Sequence, residues 1–137
     1  MGDVKENGIM RLSTTTGVDM NANAAKTILF TVPEGKRAII THVIIRDPSA
    51  TLAGCDDVDF GTGAASATQN FLNNETGIGD MTAVTDFMTL IAVSDEYTII
   101  DGDAAAAVDR EFGIYIVDGA DGAGTATIDV FGYLFDS

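Results

Sequence analysis

The stretch Thr27 to Pro48, TILFTVPEGKRAIITHVIIRDP, most constrains what this chain can fold into. Thr27 to Val32 is a run of β-branched, aliphatic and aromatic residues, and Arg37 to Arg46 is dominated by Ile, Val and Thr. Such side chains suit a pleated, half-buried surface and lose rotamer freedom in a helix. Between the two runs, Pro33 presets φ for a first turn position and Gly35 can take positive φ at no steric cost. The stretch predicts two antiparallel strands joined by a tight turn, a hairpin. A chain organised around it is a β protein.

Strand signals continue downstream. Asp47-Pro48-Ser49-Ala50 ends the second run, because Pro cannot donate to a ladder. A short strand is predicted at Asp57–Gly61. Residues 64–83 read as a long irregular connection with one short strand near Phe71, of the kind that carries a functional or interface role. Val84–Val93 resumes a strand with Phe87, Thr89, Ile91 and Val93 on one side, and Tyr97–Ile100 is a further short strand closed by Asp101-Gly102-Asp103. Ala104–Val108 favours a helical turn too short to stand alone. Phe112–Val117 and Thr125–Phe135 are predicted to form a second hairpin across Asp118–Gly124. In the last strand Ala126, Ile128, Val130, Gly132 and Leu134 share one face. Asp129 marks the opposite, wetter face, and Phe131 and Phe135 beside it imply that this face is partly covered.

About eight strands with intervening turns, no long helix and no internal repeat predict an all-β fold. One long internal connection favours a jelly-roll-like single-domain β-sandwich over a plain meander. The chain of 137 residues is long enough for one core. The sandwich domain is assigned to residues 26–137. Residues 1–25, small and polar, are expected to form an extended N-terminal arm that orders against a partner or the body, with a short edge strand near Ile9–Leu12 as the alternative.

Charge divides the chain in two. Residues 1–46 hold six of the seven basic groups (Lys5, Arg11, Lys26, Lys36, Arg37, Arg46) against four acids, whereas residues 47–137 hold seventeen acids and only Arg110. With a net charge of −14, the body repels phosphate backbones and anionic lipid, so neither nucleic acid nor membrane is an expected partner. Dense surface charge also serves solubility alone. The sharper reading is a basic leader that docks while the acidic body faces water, with Lys5, Arg11, Lys26, Lys36 and Arg37 as candidate interface residues. The N-terminal residues lack the apolar core of a signal peptide and Glu6 breaks the myristoylation pattern, which fits synthesis in a cytoplasm. Cys55 is the single cysteine, so no intramolecular disulfide forms.

Catalytic signals are sparse. His42 is the single histidine and sits mid-strand, where a ring hydrogen-bonded to a neighbour is the expected role; no nucleophile elbow, zinc-protease motif or phosphate loop occurs. Cys55 adjoins Asp56 and Asp57, which would raise its thiol pKa and leave it a packing residue. Asp56, Asp57 and Asp59, Asp101 and Asp103, and Asp118 and Asp121 form acidic groups, but none follows the calcium-loop spacing. Turn geometry is the expected role of these residues; structural calcium is the alternative, and no cofactor is expected. Tyr97, Tyr115 and Tyr133 all fall in strand patterns, where packing accounts for them more simply than carbohydrate stacking.

The run TILFTVPEGKRAIITHVIIRDPSATLAGCDDVDFGTGA resembles a pattern of small tailed-phage virion proteins, in which a Val-Pro-x-Gly-Lys strand and turn leads into an Ile/Val/Thr-rich strand ending at Asn-Pro or Asp-Pro. The resemblance continues through Met81–Met88, Phe112–Ile114 and Ala126–Tyr133, and so spans most of residues 27–135. It implies a β-sandwich structural subunit without catalytic residues: a capsid decoration protein, a head fibre, or a neck or tail accessory. On this resemblance the chain is expected on the capsid surface of a virion, contacting the major capsid protein or other virion subunits; its open sheet edges and long loops suit a homo-oligomer, a trimer being expected. A tail or neck accessory, or a glycan- or receptor-binding module, is the alternative, and a hydrolase is the least supported class.

Overall fold

A computed structural model describes residues 8–65, 68–92 and 99–137. Among these lie nine strands: β1 (Met10–Asp19), β2 (Ala25–Thr31), β3 (Lys36–Arg46), β4 (Asp57–Gly61), β5 (Leu72–Glu75), β6 (Phe87–Ile91), β7 (Ile100–Asp101), β8 (Glu111–Asp118) and β9 (Thr125–Asp136). Sheet A has the order β1-β9-β3-β6, with the two-residue β7 also on β3; sheet B has the order β2-β8-β4-β5. Every pairing is antiparallel. With β7 set aside, the first strand pairs with the last, the second with the next to last, and so inward to β4 with β5. That is one long hairpin rolled up so that β9 also meets β3 and β8 also meets β4, the wiring of a jelly roll. The expected all-β sandwich is therefore the observed fold.

The two expected hairpins are corrected by this wiring. β2 and β3 are joined by the predicted turn, with Gly35 at φ 76° and Lys36 N–H donating to the Pro33 carbonyl at 3.1 Å. Yet β2 pairs with β8 in sheet B while β3 pairs with β9 in sheet A. Likewise β8 and β9 lie in different sheets. Both connections are corners between the layers. The physical reason is that an apolar alternation identifies the buried face of each strand, and two such faces are satisfied equally by packing across the core.

At the edge of sheet A the N-terminal segment lies against the body as an edge strand, the alternative read near Ile9–Leu12, and runs further than that reading. Residues 10–19 are strand β1, paired along β9 from Met10 opposite Gly132 to Asp19 opposite Thr125, with two register shifts. Ala25 opens β2. The Ser-Thr-rich composition hid its extension past Leu12; the strand buries Val18 but leaves much of its length exposed. The strand expected from Val84 starts at Phe87, because Asp86 turns the chain before it by accepting from the backbone N–H groups of Thr82 and Ala83. The expected helical turn at Ala104–Val108 is a 3-10 turn at Ala107–Arg110. Val93, Tyr97 and Thr98 lie outside the described residues.

The core fills the space between the sheets. From sheet A come Ala38, Ile40, Val43, Ile45, Ile128 and Val130; from sheet B come Val58, Phe60, Phe112, Ile114 and Ile116, all buried. Phe112 is its aromatic centre, edge-on to Phe71 at 5.3 Å between ring centroids and stacked with Phe60 at 6.4 Å. Truncating Phe112 removes both ring contacts and opens a cavity between close-packed layers, at a typical cost of about 3–5 kcal/mol. Chemical denaturation of Phe112→Ala is expected to show a loss of that size with far-UV circular dichroism still of β type.

Candidate functional site

The jelly roll leaves each sheet with one outer face, and the two faces differ in chemistry. In β3, Val43 and Ile45 point into the core, so His42, Ile44 and Arg46 line the outer face of sheet A. Register places them beside Phe131, Asp129 and Thr127 of β9, and on the other side beside Ile91, Thr89 and Phe87 of β6. A register shift lies between Ile40 and His42. There His42 stacks on Phe131, with ring centroids 4.5 Å apart and planes 6° from parallel. The imidazole Nδ1 lies 2.9 Å from the Thr41 hydroxyl. His42 is thus held against an aromatic ring and a neighbouring hydroxyl.

Asp129 anchors the centre of this face. Its carboxylate accepts from Thr14 Oγ1 at 2.6 Å and from Arg46 Nε at 2.8 Å, tying β1, β9 and β3 together. Arg46 also pairs with Asp47, whose left-handed backbone, φ 50°, starts the chain's exit from sheet A. Asp129 is only 4% exposed although it points away from the core. Burial alone would raise its pKa; the hydrogen bonds from Arg46 and Thr14, with the charges of Arg46 and Arg11, outweigh burial and hold it below the ordinary value.

The expected interface residues are dispersed. Lys5 lies outside the described residues. Arg11 is exposed on edge strand β1, opposite Phe131. Lys26 is half-buried on the outer side of sheet B, donating to the carbonyls of Gly63 and Glu111; burial lowers its pKa, partly offset by Glu111 and Asp109. Lys36 pairs with Asp136, and Arg37 faces Asp101 at 3.9 Å. Lys36 and Arg37 sit together beside β7 and the end of β9, whereas Arg11 and Lys26 belong to different sheets.

The remaining candidate chemistry is largely built into the fold. Cys55 is fully buried, and its thiol pKa is raised to about 11 by burial first and then by Asp56 and Asp118. The second acid is Asp118 from β8, not the adjacent Asp57. Asp59 is buried and accepts from the Asn74 backbone N–H at 2.7 Å. Asp101 accepts from Asp103 N–H, and Asp103 from Gly35 N–H, so both serve turns. Burial, followed by Asp59 and Asp118, raises the Asp57 pKa. Among the described residues no group of three or more His, Cys, Asp or Glu side chains is arranged to hold a metal ion.

What sequence reasoning missed is the surface around Asp129. Phe87 and Ile91 are 71% and 60% exposed at the rim of sheet A, while Ile39, Ile44, Phe131 and Tyr133 are half-buried across it. The alternation of Asp129 with Phe131 and Phe135 and the side shared by Phe87, Thr89 and Ile91 are its signals, and only the strand partners join them into one patch.

No family model and no curated protein sequence matches the chain. Among solved structures, the fold is similar to a chain of the cyanophage Pam1 capsid asymmetric unit. The two are 12% identical, with a TM-score of 0.52, over 97% of this chain and 89% of that one. The likeness is one of fold, and it takes in β1 to β9 almost completely.

The Asp129 cluster has a definite pH signature. Because its folded-state pKa is lowered, its stabilisation is complete above the ordinary value of 3.8 and is lost as pH falls through the folded value. Urea midpoints measured from pH 6 downward are expected to fall through this acidic window in the native protein. In Asp129→Asn they are expected to start lower and to fall less steeply.

Proposed function

We propose that this chain is a non-enzymatic structural subunit of a phage virion, and specifically a decoration or cementing subunit bound to the head lattice. The observation that carries this reading is the likeness to a chain of a cyanophage capsid unit over nearly the full length of both chains. The sequence resemblance to small tailed-phage virion proteins supports it independently. The site chemistry supports a structural role as well: the single histidine is stacked, the single thiol is buried and its pKa raised, and Asp59, Asp101 and Asp103 are engaged in local hydrogen bonds.

In this reading the protein is made in the host cytoplasm and assembles on the capsid surface as a homo-oligomer. Its partner is the major capsid protein. Lys5 is the docking cation, because Lys26, Lys36 and Arg37 face carbonyls or carboxylates of their own chain and Arg11 lies on the outer face of sheet A near Asp129. A virion lattice supplies many identical sites, so a modest contact per subunit suffices when the subunit is itself oligomeric.

The test removes residues 1–8, which precede β1. Binding of this variant to empty heads of the phage that encodes it is expected to weaken by roughly tenfold, the effect of about 1.4 kcal/mol, with thermal unfolding unchanged. Native affinity in a folded variant would contradict the docking role of these residues. Absence of binding by the native chain would contradict the decoration reading itself.

A further inference from the structure

We infer that the outer face of sheet A is where copies of this chain meet one another. The inference takes up the oligomer of the proposed function but does not depend on a place on the capsid. Apolar side chains form the face: Ile39 and Ile44 of β3, Phe131, Tyr133 and Phe135 of β9, Phe87 and Ile91 of β6. Two of them, Phe87 and Ile91, stand mostly in water at the free edge. Single exposed apolar residues are ordinary, but a contiguous patch including a phenylalanine on a strongly charged domain marks a contact surface. Such a rim strand is also an open template unless something covers it.

Charge identifies the occupant. The outer face of sheet A carries Arg11, Arg37 and Arg46 against Asp19, Asp101 and Asp129, so its charges balance on a chain of net charge −14. The outer face of sheet B carries Asp57, Asp59 and Glu111 against Lys26. Two copies approaching through sheet B bring like charges together. Approaching through sheet A, they bring together the surface on which the two signs balance, and the acidic remainder stays in solvent. A sheet face is also matched in twist by an identical sheet, which lets two copies stack at the ordinary spacing of packed sheets. The Asp129–Arg46–Thr14 cluster then becomes a fixed, internally satisfied centre under the contact, with no uncompensated charge to bury.

The test uses the full chain. Native protein is expected to sediment as an oligomer at micromolar concentration, and Phe87→Asp with Ile91→Asp to sediment as a monomer with unchanged circular dichroism. Val117→Asp, on the outer face of sheet B, is expected to keep the native mass. A second measurement does not rely on the double variant folding. Maleimide labelling of Thr89→Cys is expected to slow at least roughly tenfold from dilute to concentrated solution, whereas Val117→Cys labels at one rate; buried Cys55 contributes no background. A monomeric native chain, a double variant of native mass, or protection at position 117 instead of 89 would overturn the inference.

Discussion

The pairing of β3 with β9 is the interaction on which the rest of the structure depends. It runs from Lys36 opposite Asp136 to Arg46 opposite Thr127 and joins the middle of the chain to its end. One side of this ladder supplies Ala38, Ile40, Val43, Ile45, Ile128 and Val130 to the core. The other side places His42 on Phe131 and Arg46 on Asp129. Gly132 shows how tightly the two strands meet at the register shift, since a Cβ there would fall on the Ile39 carbonyl oxygen. Because contacts of such sequence separation must be closed against chain entropy, this ladder also makes the fold cooperative rather than modular.

Much of the fold was legible in the sequence and its wiring was not. The runs at Thr27–Val32, Arg37–Arg46 and Thr125–Phe135 are β-branched and alternate cleanly, so each was identifiable as a strand with a known inner face. Which strand pairs with which depends on long-range geometry that alternation does not encode. Hence the two sequence-adjacent pairs read as hairpins are corners between sheets. The extension of strand β1 past Leu12 was obscured for a different reason: Ser13, Thr14, Thr15 and Thr16 hydrogen-bond readily in loops, and only the presence of β9 beside them makes an edge strand.

The surface account sharpens the charge map in the same way. A basic leader and an acidic body are correct as a division of the sequence, but three-dimensional pairing uses most of the basic residues locally. Arg46 serves Asp129 and Asp47, Lys36 serves Asp136, and Lys26 reaches two carbonyls. What distinguishes the outer faces is therefore less a positive docking arm than the contrast between an apolar, near-neutral sheet A and an acidic sheet B. A single domain with one sticky face and one repelling face forms closed symmetric assemblies more readily than open aggregates.

The central claim is that this jelly roll is a virion subunit whose copies meet through sheet A on the head surface. Electron cryomicroscopy of the particle that carries it tests that claim most directly. The account predicts jelly-roll density on the outside of the head at local symmetry axes, with Phe87 and Ile91 turned toward neighbouring copies and the Asp57 face toward solvent. Density confined to a ring at the neck or tail, or copies on the head meeting through sheet B, would contradict it.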